Sequence, residues 1–187
     1  MDNLYIQKVL NGDYSAFSYF VDNYKDMAYS IAYRILENRE DSEEIVQDSF
    51  LKAFNSLKKF RQDSKFSTWF YKIVVNNALT KAKRRKLINK NDDFTEIENV
   101  EFEKIETVYS GLSQDERKKY INHALDKLNM EDRLILTLYY LNENSIEEIV
   151  EITNIKRENL KMKIHRARQK MYVILEQELK TELKDLL

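Results

Sequence analysis

Apolar residues recur at spacings of three and four along most of this chain. Phe17, Phe20, Tyr24, Met27, Ile31 and Ile35 form one such series, the period of a helix with a single buried face. Gly12 and Asp13 interrupt the pattern after a short opening helix. Asn38 to Asp41 read as a turn and a helix start, with Asp41 and Glu44 spaced as a capping box. Ile45, Val46, Phe50, Ala53, Phe54 and Leu57 continue the buried face of that helix. A polar break from Lys58 to Lys65 follows. A further helix is predicted to start near Ser67, with Trp69, Phe70 and Ile73 on its core face and a basic run, Lys81, Lys83, Arg84, Arg85 and Lys86, at its end.

Periodicity fades over residues 87–116 and returns near Arg117. Tyr120, Ile121, Ala124, Leu125 and Leu128 predict one amphipathic helix, and Met130 to Leu141 a second. Ser145 with Glu148 three residues on predicts a capping box in front of a short helix burying Ile146, Ile149 and Val150. Asn154 suits the left-handed residue that ends it, Ile155 fills the turn, and a longer helix then turns Leu160, Ile164, Ala167 and Met171 inward. Short helix, tight turn and long helix together predict a helix-turn-helix. The fold class expected is all-α: two small helical domains, 1–86 and 117–187, joined by a linker, the second a four-helix domain containing the helix-turn-helix.

Composition agrees with a helical chain. The 187 residues include no Pro and only two Gly, where average usage gives roughly nine and thirteen. Neither dinucleotide-binding nor phosphate-binding glycine loops can be assembled from Gly12 and Gly111. With no Cys, disulfides, thiol nucleophiles and cysteine-ligated zinc are excluded, and two His leave little for a histidine metal site. No metal and no cofactor are expected. No apolar run reaches membrane-spanning length and the first residues do not read as a secretory signal, so a cytoplasmic protein is expected.

Net charge is −1, from 31 basic and 32 acidic residues, which at first argues against a polyanionic partner. Its distribution argues otherwise: residues 1–86 carry +4, residues 87–116 carry −7 and residues 117–187 carry +2. The middle segment is an acidic linker between two mildly basic halves.

The segment Lys156 to Lys170 holds seven Lys or Arg and one acid, Glu158. With Leu160, Ile164 and Ala167 inward, Glu158, Lys161, Met162 and His165 share the outward face, flanked by Arg166. Such a helix suits the major groove, where base edges carry a distinct pattern of donors and acceptors. Arg157, Lys163, Arg168 and Lys170 are placed nearer the phosphates. A basic helix face is also a common solvated surface, and the capped helix and turn in front of it favour the nucleic-acid reading. The run Lys81 to Lys86 has two explanations. Basic residues stabilise a helix C-terminus through its dipole, and aromatics with amides just before the run, Phe60, Tyr71, Asn76 and Asn77 among them, can hold unstacked bases. Asp41, Glu43, Glu44 and Asp48 crowd one helix start without a His, Cys or activated Ser. They read as a docking face or a plain surface, not as a catalytic pair, and the chain is expected not to be an enzyme.

These residues together resemble the bacterial sigma factors of the sigma-70 family, extracytoplasmic-function (ECF) group. The resemblance runs through GDYSAF (Gly12 to Phe17), REDSEEIVQDSFLKAF (Arg39 to Phe54) and FRQDSKFSTWFYKIVVNNA (Phe60 to Ala78) in the first half. In the second it runs through ALDKLNMEDRLILTLYYL (Ala124 to Leu141) and IHRARQKM (Ile164 to Met171). It implies an alternative sigma factor that binds core RNA polymerase and promoter DNA and helps open the duplex. Asp41, Glu44, Gln47, Asp48 and Leu51 would dock on the polymerase clamp helices. Phe60, Tyr71 and Asn76 would take bases of the minus-ten element, and Lys72, Lys81, Arg84 and Arg85 would hold its backbone. Lys161, Met162, His165 and Arg166 would read the minus-thirty-five element. The resemblance admits an anti-sigma factor as a further partner and implies a monomer when free. Asn154 stands where the family usually has Gly, IKREN (Ile155 to Asn159) replaces a small-residue helix start, and Met162 replaces a small polar residue. A stand-alone dimeric regulator of duplex DNA and a helical protein–protein adaptor are the alternatives that the residues leave open.

Overall fold

A computed structural model describes residues 1–85 and 113–185; the greater part of the predicted acidic linker lies outside them. Among the described residues there are helices and turns and no strand. Helix α1 spans Asp2–Leu10. The chain turns at Gly12, whose φ of +100° is open to glycine at no steric cost, and passes through a single 3₁₀ turn, Tyr14–Phe17, into α2 (Ser18–Leu36). Helix α3 (Arg39–Ser56) and α4 (Phe66–Arg84) complete the N-terminal set. The C-terminal set is α5 (Gln114–Lys127), α6 (Met130–Leu136), α7 (Ile146–Thr153) and α8 (Arg157–Asp185).

The predicted apolar stripes converge. Phe20, Ile31, Phe70 and Val74 are wholly or almost wholly buried. The Phe66 ring lies 4.1 Å from Phe20, and the Phe50 ring stacks on Phe70 at 4.4 Å. Such offset and tilted pairs add to the stability gained from burial alone. Helix α1 closes one end of this core: Asp2 accepts hydrogen bonds from the hydroxyls of Tyr19 at 3.0 Å and Tyr24 at 2.7 Å, and Tyr5 stacks on Tyr19 at 3.9 Å. Burial, and then the Asp2 carboxylate, push the Tyr24 hydroxyl well above the usual tyrosine range.

One helix start differs from expectation. Helix α3 is capped by Asn38, whose side chain accepts from the Asp41 amide at 2.9 Å, and not by an Asp41–Glu44 box. An Asx residue three positions earlier takes the orphan donor first. The Asp41 side chain is thereby released to turn inward, where it is buried and ion-pairs with Lys81 at 3.0 Å and with Arg85. Lys81 also reaches Glu44 at 2.6 Å. These contacts fasten the start of α3 to the end of α4.

The capping box of α7 forms as the spacing predicts: the Glu148 amide donates to Ser145 Oγ at 3.2 Å and the Ser145 amide to Glu148 Oε2 at 2.8 Å. Asn154 ends the helix at φ 59°, and its amide donates to the Val150 carbonyl at 2.8 Å. Helix α6 stops short of the predicted Leu141. Its last turn widens into a π-helical segment, Thr137–Leu141, which buries Thr137 and Leu138 and leaves Tyr140 and Leu141 exposed.

The two sets of helices share one core. Ile149 and Ile152 of α7 and Leu134, Ile135 and Leu138 of the α6 region join the cluster that contains Phe66 and Phe70. Leu125, Leu128, Leu136 and Ala167 form a second cluster between α5, α6 and α8. Around the junction Arg34 of α2 pairs with Asp126 and donates to Asn122 of α5 at 2.5 Å, and Arg133 of α6 pairs with Glu37.

Two stability predictions follow from these ends. Asn154→Ala should lower the unfolding free energy by about 1 kcal/mol, because Ala lacks the short polar side chain whose local hydrogen bonding opens the left-handed region to Asn, whereas Asn154→Gly should be at least as stable as the parent; urea titrations measure both. Asp41→Asn should destabilise by about 1–3 kcal/mol, because it leaves Lys81 and Arg85 without the charge they share, while Asp48→Asn on the exposed face of α3 should stay within about 0.5 kcal/mol.

Candidate nucleic-acid interface

The second helix of the helix-turn-helix presents what the spacing predicts. Leu160, Ile164 and Ala167 are buried, and Lys161, Met162, His165, Arg166 and Arg168 are exposed along one side of α8. Met162 is 52% exposed, an apolar side chain set among cations. The capped start of α7 and the left-handed Asn154 fix the angle at which α8 leaves the turn. Ile155 packs against the shared core and anchors that turn. Two cations of the set are drawn aside: Arg157 donates to Glu147 at 2.8 Å and Lys163 pairs with Glu131. Glu147 is held below the usual carboxylate range, first by the hydrogen bond of its own backbone amide at the helix start and then by Arg157. Lys170 is tied to Asp132 at 2.7 Å. The outward face of α8 is therefore Lys161, Met162, His165 and Arg166, and its flanks are partly neutralised.

On α4 the expected site residues separate. Tyr71, expected to take a flipped base, is in the core, 2% exposed, with its ring against Tyr24 and Phe70. Desolvation raises its hydroxyl well above the ordinary value. A base has no path to that ring in this arrangement. Phe60 is half-buried, 4.9 Å from the Trp69 ring. Asn76 is exposed and Lys72 half-buried. Lys65, Thr68, Lys72 and Asn76 follow at spacings of three, four and four, so they form one stripe along α4. Arg84 is exposed, whereas Lys81 and Arg85 are engaged by Asp41.

On α3, Glu44, Gln47, Asp48 and Leu51 lie on one exposed face, and Leu51 is 62% exposed. Asp41 does not join them, since its carboxylate faces α4. That inward turn follows from the Asn38 cap, and a capping pattern three residues upstream was the signal that could have placed it. The contacts of α7 with α4 had no signal in the sequence at all. Ser64 donates to Glu151 at 3.0 Å and Lys65 pairs with Glu148 at 2.9 Å, across 87 and 83 positions of chain respectively. Among the described residues no group of His, Asp and Glu is arranged to hold a metal ion, and no helix is long and apolar enough to cross a membrane.

Comparison with known proteins agrees with this geometry. The family model for Sigma-70 region 2 matches residues 20–88, and that for Sigma-70 region 4 matches residues 118–171. The chain is 33% identical over 175 residues to the ECF RNA polymerase sigma factor SigW of Bacillus subtilis, covering 88% of this chain and 91% of that protein. It is 30% identical over 174 residues to the ECF RNA polymerase sigma-E factor of Escherichia coli K12, covering 90% and 91%. Two solved structures share the fold. CnrH, in complex with the cytosolic domain of CnrY, aligns with TM-score 0.63 and 20% identity over 94% of this chain and 97% of that one. The sigma factor RpoE of Bartonella quintana, in complex with the anti-sigma factor NepR, aligns with TM-score 0.63 and 18% identity over 86% and 96%. An exposed basic face on a helix-turn-helix, an acidic exposed face on α3 and relatives matched over nine-tenths of their length have one common explanation: the chain belongs to the ECF RNA polymerase sigma factors of the sigma-70 family, a family of non-enzymes, and is an alternative sigma factor that directs transcription initiation.

Proposed function

We propose a division of labour among the faces just described. The face of α8 formed by Lys161, Met162, His165 and Arg166 reads the minus-thirty-five element in the major groove. The observation that carries this is the exposure of those four side chains together, on the far side of α8 from Leu160, Ile164 and Ala167. Lys and Arg at Lys161 and Arg166 suit the acceptor edge of guanine. Met162 offers an apolar contact, as to a thymine methyl group, where a small polar residue would offer a hydrogen bond. Arg168, and Arg157 and Lys163 once released from their acidic partners, contribute phosphate contacts, which position the helix and carry no sequence information.

The stripe on α4, continued by Arg84, takes the minus-ten strand: Lys72 holds its backbone and Asn76, with Phe60 at the helix entrance, meets its bases. Tyr71 contributes from beneath, by supporting the helix. Lys81 and Arg85 act first as partners of Asp41, so their part in holding DNA is secondary to fixing α4 on α3. Core polymerase docks on Glu44, Gln47, Asp48 and Leu51, a face that combines negative charge with one exposed leucine, the mixture that suits a helical partner of basic and apolar character. The protein performs no chemical step of its own and acts in the cytoplasm, where the polymerase is. An anti-sigma partner is consistent with the complex in which RpoE of Bartonella quintana was solved, with the anti-sigma factor NepR.

Three measurements test the assignments. Lys161→Ala with Arg166→Ala should cost promoter-directed run-off transcription at least tenfold, each lost bidentate pair being worth about 1–3 kcal/mol; unchanged transcription would remove α8 from minus-thirty-five reading. Lys72→Ala with Asn76→Ala should leave co-elution with core polymerase intact and reduce opening of the minus-ten region, read by permanganate footprinting. Leu51→Asp should abolish co-elution with core polymerase while circular dichroism and thermal unfolding stay at the parent values, because Leu51 has little packing to lose.

A further inference from the structure

The outward side of α8 also carries an acid. Glu158 is exposed in the first turn of the helix. At about 3.6 residues per turn, Glu158, Met162 and His165 run along the middle of the side opposite Leu160, Ile164 and Ala167. Arg157, Lys161 and Arg168 lie to one flank and Lys163 and Arg166 to the other. Three acids that face α8 are each tied to a cation of that helix. Glu147 holds Arg157, through Nε at 3.1 Å and Nη2 at 2.8 Å, Glu131 holds Lys163, and Asp132 holds Lys170. Glu158 differs: among the described residues it has no ion-pair or side-chain hydrogen-bond partner, and Arg157 beside it is already taken by Glu147. An acid in the first turn of a helix suits the helix dipole wherever it points. Its place midway between two basic flanks has a further consequence. A carboxylate there repels phosphates, so when the flanks meet the DNA backbone it has to stand over base edges.

We infer that Glu158 is a base-reading residue, whose carboxylate accepts a hydrogen bond from the N4 amine of a cytosine in the minus-thirty-five element. The inference rests on the assignment of α8 to that element. In a helix-turn-helix the first turns of the second helix reach the base edges, and Glu158 stands in that turn. A carboxylate only accepts hydrogen bonds. In the major groove guanine presents two acceptors, and thymine an acceptor and a methyl group, so neither bonds to it. Adenine sets its N6 donor beside the N7 acceptor, which suits an amide that both donates and accepts and opposes the second carboxylate oxygen. Cytosine offers a donor with no acceptor beside it on its own edge. A rise of about 1.5 Å per residue puts Lys161 about 4.5 Å further along the helix axis, close to one base-pair step of about 3.4 Å. Lys161 is thus placed for the acceptor edge of a guanine next to the base that Glu158 meets. The middle of α8 then carries an acceptor for cytosine, a cation for guanine and, in Met162, an apolar contact for a thymine methyl group.

Run-off transcription by the full-length protein with core polymerase, on a promoter library randomised in the minus-thirty-five element, tests this. Each base at each position is scored against the others within one reaction. The parent should favour cytosine at one position by roughly fivefold or more. Glu158→Ala should flatten the preference at that position alone. Glu158→Gln, which exchanges one acceptor for a donor, should move it towards adenine. A role confined to the helix dipole or to overall charge changes output from all promoters by a common factor and leaves the profile intact. A profile that is unchanged in either variant, scaled uniformly, or relaxed only where the parent does not favour cytosine would overturn the inference. Because the scores are ratios, a variant with reduced output still gives a readable profile, and the nearly isosteric Glu158→Gln keeps the test decisive if Glu158→Ala fails to fold. Failure of the α8 assignment itself is read separately, from full transcription by the Lys161→Ala, Arg166→Ala protein.

Discussion

Helix α4 has to satisfy neighbours on three sides, and the rest of the structure depends on that constraint. Phe66, Phe70 and Val74 fill the core between α2 and α3. Its C-terminal turn is held by the buried carboxylate of Asp41 through Lys81 and Arg85. Its first turns carry the seam with α7 through Lys65 and Thr68. A helix committed on so many sides is a rigid platform, and a platform is what a surface needs if it is to hold displaced bases in fixed positions. The cost is that few of its aromatic residues stay available: Tyr71 is spent on the core and Trp69 is half-buried against Phe60 of the preceding turn.

The polar residues divide accordingly into those that build and those that face outward. Asp41, Arg34 and Arg133 are nearly buried, each opposite a group of contrary charge. Removing one partner of such a pair leaves the other charge stranded. By contrast Lys161, His165, Glu44 and Asp48 are exposed on helix faces whose buried sides do the packing. Charge type alone does not separate these groups; burial does, and burial is set by where the long-range contacts fall.

That explains what could be read from the chain in advance. The elements of α2, α3, α4 and α8 follow from three-and-four spacing, and the Ser145–Glu148 box and left-handed Asn154 are local patterns with one dominant solution. The outward face of α8 was legible for the same reason, since Leu160, Ile164 and Ala167 leave it no other orientation. The inward turn of Asp41 was obscured by two competing caps one turn apart. Tyr71 looked like its aromatic neighbours because periodicity cannot distinguish an aromatic at the edge of a core from one inside it. The widening of α6 at Thr137–Leu141 and the seam between Ser64, Lys65 and α7 depend on pairings more than eighty residues apart in the latter case, and no local pattern announces such pairings.

The aromatic cluster at the start of α4 also contains the only tryptophan among 187 residues. Trp69 is half-buried between Phe60 and Phe66 and adjoins Thr68, the residue that α7 covers. The indole is therefore a native optical label, positioned one residue from the junction. Its emission colour and its quenching by acrylamide report, without any added dye, on how wet that corner of the molecule is from moment to moment.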